Sequence, residues 1–350
     1  MKTELLTIPC VAGHEEEIAH AAALLREGAL VALPTETVYG LGADALNGAA
    51  VAGIYEAKGR PSDNPLIIHV PNDLSWLSRY CRDVPELAWR LAERFWPGPL
   101  TMILRRDPCV PDRTTGGLDT VGVRCPDHPV TEAIIRAAGH PIAAPSANTS
   151  GRPSCTTAAE VLEDVGGKIA AVVDGGPCAV GVESTILDLT VTPPRLLRPG
   201  GMPLEDLRAV CGEIDLDPAV LRLMGEGERP RAPGMKYRHY APHAPVTVVT
   251  GDPDRTAAYI AARADGKTGV ICFEEYRERF PWSVVVSLGP VSDKGEQARH
   301  VFSDLRFFDQ TGVQQIFAQC PDPDGLGFAV ANRLKKAAGF HVIELEGEGP

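Results

Sequence analysis

The stretch PTETVYGLG, from Pro34 to Gly42, follows an uninterrupted apolar run from Ala29 to Leu33. A short apolar run that ends at a proline is typical of a buried strand. Two threonines, a glutamate and a tyrosine then follow directly on that strand. Any one of them could be an ordinary turn former, but a polar cluster at the end of a core strand indicates a ligand at the edge of a sheet.

Further strand-like runs continue this pattern along the first two-thirds of the chain, at 65–70, 100–105, 120–124, 141–144, 169–173, 184–189 and 195–198. They alternate irregularly with helical patterns, which predicts a single α/β domain built on a mixed sheet over residues 1–212.

Two helices of this domain are delimited by their end signals. Asn47 can cap the first, and Gly59 ends it after Lys58. The pair Thr157 and Glu160 forms a capping box at the start of the second.

A second region begins at Val246, where the pattern becomes regular. Strand-like segments alternate with helical ones in the order VTVVT, helix near 253–264, GVICF, SVVVSL, helix from about 293, QQIFA, helix 327–338, HVIEL. This alternation predicts a smaller, Rossmann-like α/β domain with largely parallel strands over residues 246–350.

The segment between the two domains, residues 213–245, has a linker composition rich in glycine, proline and charge. Its portion Ala232–Pro245 also contains the run MKYRHY between Pro233 and Pro242. A passive spacer is more often small and polar, so we expect this portion to act as a lid over a ligand.

Composition excludes several classes of protein. The 350 residues are 44% hydrophobic and 23% charged, typical of a globular protein. No apolar stretch approaches the ~20 residues of a membrane span, and the first residues lack a basic and then apolar leader, so we expect no membrane association and a cytoplasmic location. The net charge of −12 disfavours broad adhesion to nucleic acid, although an acidic total can contain a local basic pocket.

Metal centres and disulfides are not expected. None of the nine cysteines lies within four residues of another, which favours free thiols in a reducing compartment. His239 and His243 have a metal-ligand spacing, but Pro242 between them argues against a shared helical face. We therefore predict no protein-bound metal.

Two nucleotide-binding motifs are incomplete. GLGADA, from Gly40 to Ala45, matches a dinucleotide fingerprint but lacks the acidic residue expected ~20 residues later at the next strand end. GKT, from Gly266 to Thr268, lacks the first glycine of a phosphate-binding loop, because Ala261 occupies that position. We predict a turn before a strand for GKT.

Cations and small donors recur at other predicted strand ends. Lys58 and Arg60 leave the first helix just before a strand, and APSANTSGRPS (144–154) begins where another strand breaks. GVESTILDLT begins a third strand, and Arg198 ends a fourth. Helix-dipole compensation or turn formation can explain each of these side chains separately. Together, the cations and small donors suit a ligand that carries a polyphosphate and a carboxylate.

Seven stretches of the sequence, in order, resemble the YrdC-type threonylcarbamoyl-AMP synthases: PTETVYGLG, KGRPSDNPLIIH, WPGPLT, GLDTVGVRCPDHP, APSANTSG, GVESTI and LLRPG. The later stretch APGMKYRHYAPHAP, followed by an α/β domain, resembles the long form of that family. The resemblance implies a YrdC-like twisted mixed sheet with flanking helices and an additional C-terminal domain.

The resemblance implies that this chain is a nucleotidyltransferase. It would join L-threonine, bicarbonate and ATP into threonylcarbamoyl-AMP and pyrophosphate. A separate transferase complex then modifies the adenosine beside the anticodon of tRNA. The resemblance places the catalytic tetrad on Lys58, Arg60, Ser146 and Asn148. It places the threonine contacts on Thr35, His69, Arg124, Ala144 and Ser184. It places the ATP contacts on Lys58, Ser62, Thr115, Ser146, Ser154, Arg198 and Tyr240. Since no dense carboxylate cluster is present, we expect Mg²⁺ to be carried mainly by the ATP phosphates.

Two alternatives remain at this stage. The same module occurs in carbamoyl-transferring maturation proteins for hydrogenase, although those carry zinc-finger cysteine pairs that are absent from this sequence. A non-catalytic RNA-binding module that uses a concave basic surface is the other alternative; it would bind tRNA with steep salt dependence and would not turn over ATP.

Overall fold

The computed structural model describes residues 2–225, 230–235 and 240–345. Within these residues, the first sheet contains twelve strands. They are β1 (Glu4–Thr7), β2 (Val31–Leu33), β3 (Gly40–Asp44), β4 (Ile67–His69), β5 (Cys81–Arg82), β6 (Leu100–Arg106), β7 (Thr120–Arg124), β8 (Ile142–Ala143), β9 (Ala171–Asp174), β10 (Thr185–Asp188), β11 (Arg195–Arg198) and β12 (Asp215–Leu216).

The first sheet is mixed, as the sequence predicts. Its order is β1-β9-β2-β3-β8-β4-β7-β6-β10-β11-β12, and β5 pairs with β6. Parallel pairs such as β4 with β7 and β6 with β10 alternate with antiparallel pairs such as β6 with β7. The helices around the sheet are α1 (Glu15–Arg26), α2 (Gly48–Lys58), α3 (Ser75–Tyr80), α4 (Glu86–Phe95), α5 (Asp112–Thr115), α6 (Pro129–Ala138), α7 (Ala158–Val165) and α8 (Leu204–Cys211).

Both predicted helix caps are confirmed. The Asn47 side chain accepts hydrogen bonds from the first backbone N–H groups of α2, and Gly59 ends the helix with a φ of 61° that favours glycine. Thr157 and Glu160 form both hydrogen bonds of the capping box at the start of α7. Both helices therefore begin where the local sequence signals predict.

The GLGADA stretch is a strand, so the dinucleotide alternative is wrong. β3 runs antiparallel to β2, with Ala32 opposite Leu41, and PTETVY forms the connection between them. The fingerprint would instead need a parallel strand followed by a loop that opens a helix.

The second sheet is parallel throughout its described strands. It has the order β15-β14-β16-β13-β17, formed by β13 (Val246–Thr250), β14 (Thr268–Phe273), β15 (Val284–Gly289), β16 (Gln315–Gln319) and β17 (Val342–Glu344). The helices are α9 (Pro253–Ala261), α10 (Lys294–Phe307) and α11 (Leu326–Ala337). The prediction of a parallel α/β unit is confirmed. GKT forms the turn that leads into β14, and its Thr268 is the first residue of that strand. The Thr268 hydroxyl and the backbone N–H of Lys267 both donate to the Asp265 carboxylate.

The described part of the connecting segment is packed rather than extended. The first sheet continues through β12, a few residues past the predicted boundary at 212. Ala232 and Met235 are buried against apolar side chains of the first sheet, and the Tyr240 ring lies 5.0 Å from that of Phe302 on α10. Residues 236–239 of the predicted lid, including His239, lie outside the described residues.

The two units pack closely against each other. Val38 and Val182 of the first unit belong to the apolar cluster of the second. At Gly181, a Cβ would lie 2.4 Å from the Ala298 carbonyl oxygen of α10. No helix among the described residues is long and apolar enough to span a membrane.

Candidate active site

A cleft lies where several strand ends of the first sheet meet the connecting segment. Its walls come from the ends of β4 and β7, the loop after β8, the residues before β10 and the end of β11. Pro233, Gly234 and Tyr240 of the connecting segment line it as well. The enclosed free space between these walls is about 50 Å³.

The cleft brings together most of the site residues that the sequence predicts. Those that line it are Lys58, Arg60, His69, Arg124, Ala144, Ser146, Asn148, Ser184, Arg198 and Tyr240. Thr35, Ser62, Thr115 and Ser154 are not among the lining residues.

Thr35 stabilises the turn after β2. Its Oγ1 donates to the Val38 carbonyl oxygen at 2.7 Å and accepts from the backbone N–H groups of Thr37 and Val38. The hydroxyl is thus occupied by its own loop, so in this structure it shapes the loop that presents Val38 to the cleft.

The other three side chains outside the lining have different environments. Ser62 is exposed in the loop before β4. Thr115 is fully buried at the end of α5 and donates to the Leu118 carbonyl oxygen. Ser154 is also buried, and its Oγ donates to Glu183 at 2.6 Å. Ser154 therefore reaches the cleft through another side chain.

Lys58 is the most deeply placed cation of the cleft. Only 2% of its surface is exposed, and its Nζ donates to the carbonyl oxygens of Ser146 and Asn148. Burial lowers the pKa of Lys58 to about 7, and the like charge of Arg60 adds to the effect. Lys58 is thus a cation whose charge is sensitive to the pH of its surroundings.

Arg60 and Asn148 keep unused polar atoms near Lys58. Arg60 donates from Nη2 to the Pro65 carbonyl oxygen, while its buried Nε has no partner among the described residues. The Asn148 Nδ2 donates to two carbonyl oxygens of its own loop, and its Oδ1 is left without a described partner. Buried polar atoms of this kind are ordinarily satisfied, so both are candidates for ligand contacts.

Arg124 has a protein carboxylate as its partner. Its Nη2 lies 2.5 Å from Glu36 Oε2, and its Nη1 donates to Thr37 Oγ1 at 2.9 Å. Sequence reasoning did not include Glu36 in the site, although it is the glutamate of PTETVYGLG. A ligand carboxylate at Arg124 would therefore share the guanidinium with Glu36.

His69 lies beside Arg124 as a neutral ring. Burial, together with the positive charge of Arg124, lowers the pKa of His69 to about 3. Its Nδ1 has no partner among the described residues. A neutral imidazole with a free nitrogen can contact a polar substrate group without adding charge.

Arg198 connects the start of β10 with the connecting segment. Its Nε and Nη2 donate to the Ser184 carbonyl oxygen, and its Nη1 lies 3.4 Å from the Pro233 carbonyl oxygen. Ser184 itself shares a 2.8 Å hydrogen bond with Thr101. Arg198 therefore holds the connecting segment beside the cleft.

Glu183 is a second acidic residue that the sequence-based site did not include. It is 6% exposed, lines the cleft and accepts from Ser154. Its second oxygen accepts from Arg333 Nε at 2.7 Å. Arg333 belongs to α11 of the second unit, and local sequence patterns carry no signal for a contact across 150 residues.

The electrostatics of the cleft favour an anionic ligand. Cations outnumber carboxylates among the charged residues just described: Lys58, Arg60, Arg124 and Arg198 against Glu36 and Glu183. Each carboxylate is already held by an arginine. Such a set suits phosphate and carboxylate groups.

Metal-ligand clusters and disulfides are absent from the part of the chain that the structure describes. It contains no group of three or more His, Cys, Asp or Glu side chains that could hold a metal ion. All nine cysteines, each within the described ranges, are free. The described chain therefore has no metal cage of its own.

Comparison with known proteins assigns a family to both units. A family model described as "Telomere recombination" matches residues 23–200, and one described as "Threonylcarbamoyl-AMP synthase, C-terminal domain" matches residues 202–339. A threonylcarbamoyl-AMP synthase of Pyrococcus abyssi is 50% identical over 338 residues, 95% of this chain and 96% of that protein. One of Bacillus subtilis is 49% identical over 336 residues, 94% of this chain and 95% of that protein.

Solved structures agree with this result. The crystal structure of P. abyssi Sua5 complexed with L-threonine matches with a TM-score of 0.89 at 46% identity, covering 99% of this chain and 100% of that one. The structure of E. coli YciO matches with a TM-score of 0.52 at 26% identity, covering 57% of this chain and 96% of that one.

Proposed function

Because the chain belongs to the threonylcarbamoyl-AMP synthase family, we propose that it joins L-threonine, bicarbonate or CO₂, and ATP into threonylcarbamoyl-AMP and pyrophosphate. The family assignment agrees with the resemblance drawn from the seven sequence motifs. The single observation that supports the reaction most strongly is the convergence of Lys58, Arg60, Arg124 and Arg198 on one small cleft.

Threonine is placed at the Arg124 end of the cleft. Its carboxylate pairs with the Arg124 guanidinium, which Glu36 and Thr37 hold in place. The neutral His69 ring offers its free nitrogen to a polar group of the amino acid. The neutral threonine amine then attacks the carbon of CO₂ with loss of a proton, or the carbon of bicarbonate with loss of water, and either route gives a carbamate.

The second step transfers the adenylyl group. A carbamate oxygen attacks the α-phosphorus of ATP, the bond to the β-phosphate oxygen breaks, and pyrophosphate departs. Negative charge accumulates throughout, so fixed cations such as Lys58 and Arg60 lower the barrier without a covalent intermediate on the protein. Mg²⁺ is expected to enter on the phosphates of ATP, since the described residues contain no cluster of ligands to hold it.

The product is an activated acyl-adenylate, which a separate transferase must consume. We propose that this consumer places the threonylcarbamoyl group on the adenosine next to the anticodon of tRNA. The excess of acidic residues, with a net charge of −12, supports a division of labour in which this chain makes the intermediate and the partner holds the tRNA.

The test is pyrophosphate release from ATP by the purified full-length chain. We expect release only when threonine and bicarbonate are both present, together with a nucleotide product of the mass of threonylcarbamoyl-AMP. Lys58→Ala serves as the matched inactive control. Release that does not depend on threonine would refute the proposal, and salt-sensitive tRNA binding without ATP turnover would favour the RNA-binding alternative.

A further inference from the structure

The Glu183 carboxylate joins three separate parts of the molecule at the cleft wall. Ser154 donates to one of its oxygens, and Arg333 of α11 donates to the other. Tyr240 of the connecting segment lies beside it: burial raises the pKa of Tyr240 to about 12, and the Glu183 charge adds to the rise. One carboxylate thus connects the site loop, the connecting segment and the second unit.

Arg333 is fully buried at this junction. Its Nη1 donates to Asn332 Oδ1, and its guanidinium lies 5.5 Å from the centre of the Tyr240 ring. Burying an arginine and a glutamate together costs desolvation energy that their attraction only partly recovers, so such a pair is weak evidence for a purely stabilising role. Glu183 of this pair lines the cleft, so the pair lies where it can affect a ligand.

The next turn of α11 contacts the other wall of the cleft. Lys336, three residues after Arg333 and therefore on the same helix face, donates to the Gly234 carbonyl oxygen. Gly234 lines the cleft next to Pro233, which accepts from Arg198. One face of α11 therefore contacts both the cleft wall and the segment beside it.

Charge makes the Arg333 contact relevant to a phosphate ligand. Burial by itself would raise the pKa of Glu183, but the charges of Arg333 and Arg198 and two hydrogen bonds lower it to about 2, so the side chain is ionised. An ionised carboxylate in the wall of a phosphate-binding cleft repels its ligand unless a cation compensates it. Arg333 is that cation.

We propose that Arg333 is a positioning residue through which the second unit completes the ATP-binding side of the cleft, by neutralising Glu183 and holding Ser154 and Tyr240 in place. The inference rests on the proposed function, since it assumes that the cleft binds ATP. Threonine, which is placed at Arg124 and His69, depends on Arg333 much less.

Separate binding measurements on the full-length chain test this inference. For Arg333→Met, which keeps the length and removes the charge, we expect ATP to bind at least tenfold more weakly, while threonine affinity changes less than about threefold. Lys335→Met, which removes a neighbouring cation of α11 that has no contact with Glu183, is expected to bind both ligands normally and serves as the matched control.

A second substitution separates positioning from simple loss of packing. In Arg333→Met combined with Glu183→Gln, no unpaired charge remains, so we expect most of the ATP affinity to return. If Arg333 acted only by filling space, independently of Glu183, no such recovery would follow. Equal losses for ATP and threonine, or an unchanged ATP affinity in Arg333→Met, would overturn the inference.

Thermal unfolding of each variant establishes whether it is folded. If Arg333→Met does not fold, Arg333→Lys decides, because it keeps the charge and loses the forked geometry. We then expect ATP binding to weaken about threefold to tenfold with threonine binding unchanged, and wild-type ATP affinity would refute the inference. Failure of the proposed function is distinguishable: wild-type protein would then bind neither substrate, or would bind both without releasing pyrophosphate.

Discussion

Raising the pH from about 6 to about 9 is expected to weaken ATP binding, because the phosphates attract Lys58 only in its charged form. Burial lowers the pKa of Lys58 in the free protein to about 7, and Arg60 contributes in the same direction. Bound phosphates favour the protonated amine and raise this pKa again. ATP binding is therefore linked to proton uptake wherever the pH lies between the pKa of Lys58 in the free protein and its pKa in the ATP complex.

The size of the change in ATP affinity depends on how far apart these two pKa values of Lys58 lie. Each pH unit above the pKa of the free protein costs about 1.4 kcal/mol, or about tenfold in affinity, until the pKa of the complex is reached. Between pH ~7 and ~9 the dissociation constant for ATP should rise by up to about 100-fold. At pH ~8 close to one proton, about 0.9, should be taken up for each ATP bound.

Titration calorimetry at several pH values, in buffers with different ionisation enthalpies, measures both quantities. The matched control is Lys58→Arg, whose guanidinium stays charged over the whole range, so affinity should be nearly flat with pH and proton uptake small. Lys336 needs its own control, because burial also lowers its pKa to about 7. Lys336→Arg should keep the wild-type slope, since Lys336 donates to Gly234 rather than lining the cleft.

The outcome that would refute this reasoning is a pH slope shared by wild type and Lys58→Arg. It would assign the proton to another group, and Lys58 would then be charged at all pH values studied. A slope that disappears in Lys336→Arg instead would move the linkage to Lys336 on α11.

Four substitutions test other parts of the structure. Lys58→Ala and Arg60→Ala should each reduce threonine-dependent pyrophosphate release at least tenfold with an unchanged circular dichroism spectrum, because each removes ~2–4 kcal/mol of stabilisation of developing charge; near wild-type rates would leave both as helix-terminal charges. Arg124→Lys should raise the KM for threonine more than that for ATP, since lysine lacks the forked geometry that holds a carboxylate; equal increases would contradict the threonine contact. Arg306→Met should lower the free energy of unfolding in urea by ~3–5 kcal/mol, because Arg306 pairs with the buried Asp164; a loss below ~1 kcal/mol would mean that neighbouring cations compensate fully.

The sequence predicts features that depend on neighbouring residues. Asn47 and Gly59 delimit α2 through hydrogen bonds to adjacent backbone, and the alternation after Val246 predicts a parallel sheet because crossover helices separate its strands. The resemblance grouped His69 with Arg124, and the two lie opposite each other at the ends of β4 and β7.

Features that depend on distant pairing were missed. β1 is a short, mostly exposed strand at the sheet edge, and only its pairing with β9 identifies it. The two site carboxylates, Glu36 and Glu183, are also set by distant partners. Glu36 pairs with Arg124, 88 residues away in the chain. Glu183 pairs with Arg333, 150 residues away. The predicted cations were found because resemblance and residue type both indicated them, whereas nothing local marks a partner on another unit.

The interface between the units has a consequence for the order of events on the ribosome. Asp164 and Glu183 are buried in the first unit, but Arg306 and Arg333, which pair with them, are synthesised 142 and 150 residues later. At translation rates of about 5–20 residues per second this delay lasts roughly 7 to 30 seconds. A nascent chain that has completed only its first sheet therefore holds two carboxylates that still lack these arginines, and the cleft reaches its final form only after α11 has left the exit tunnel.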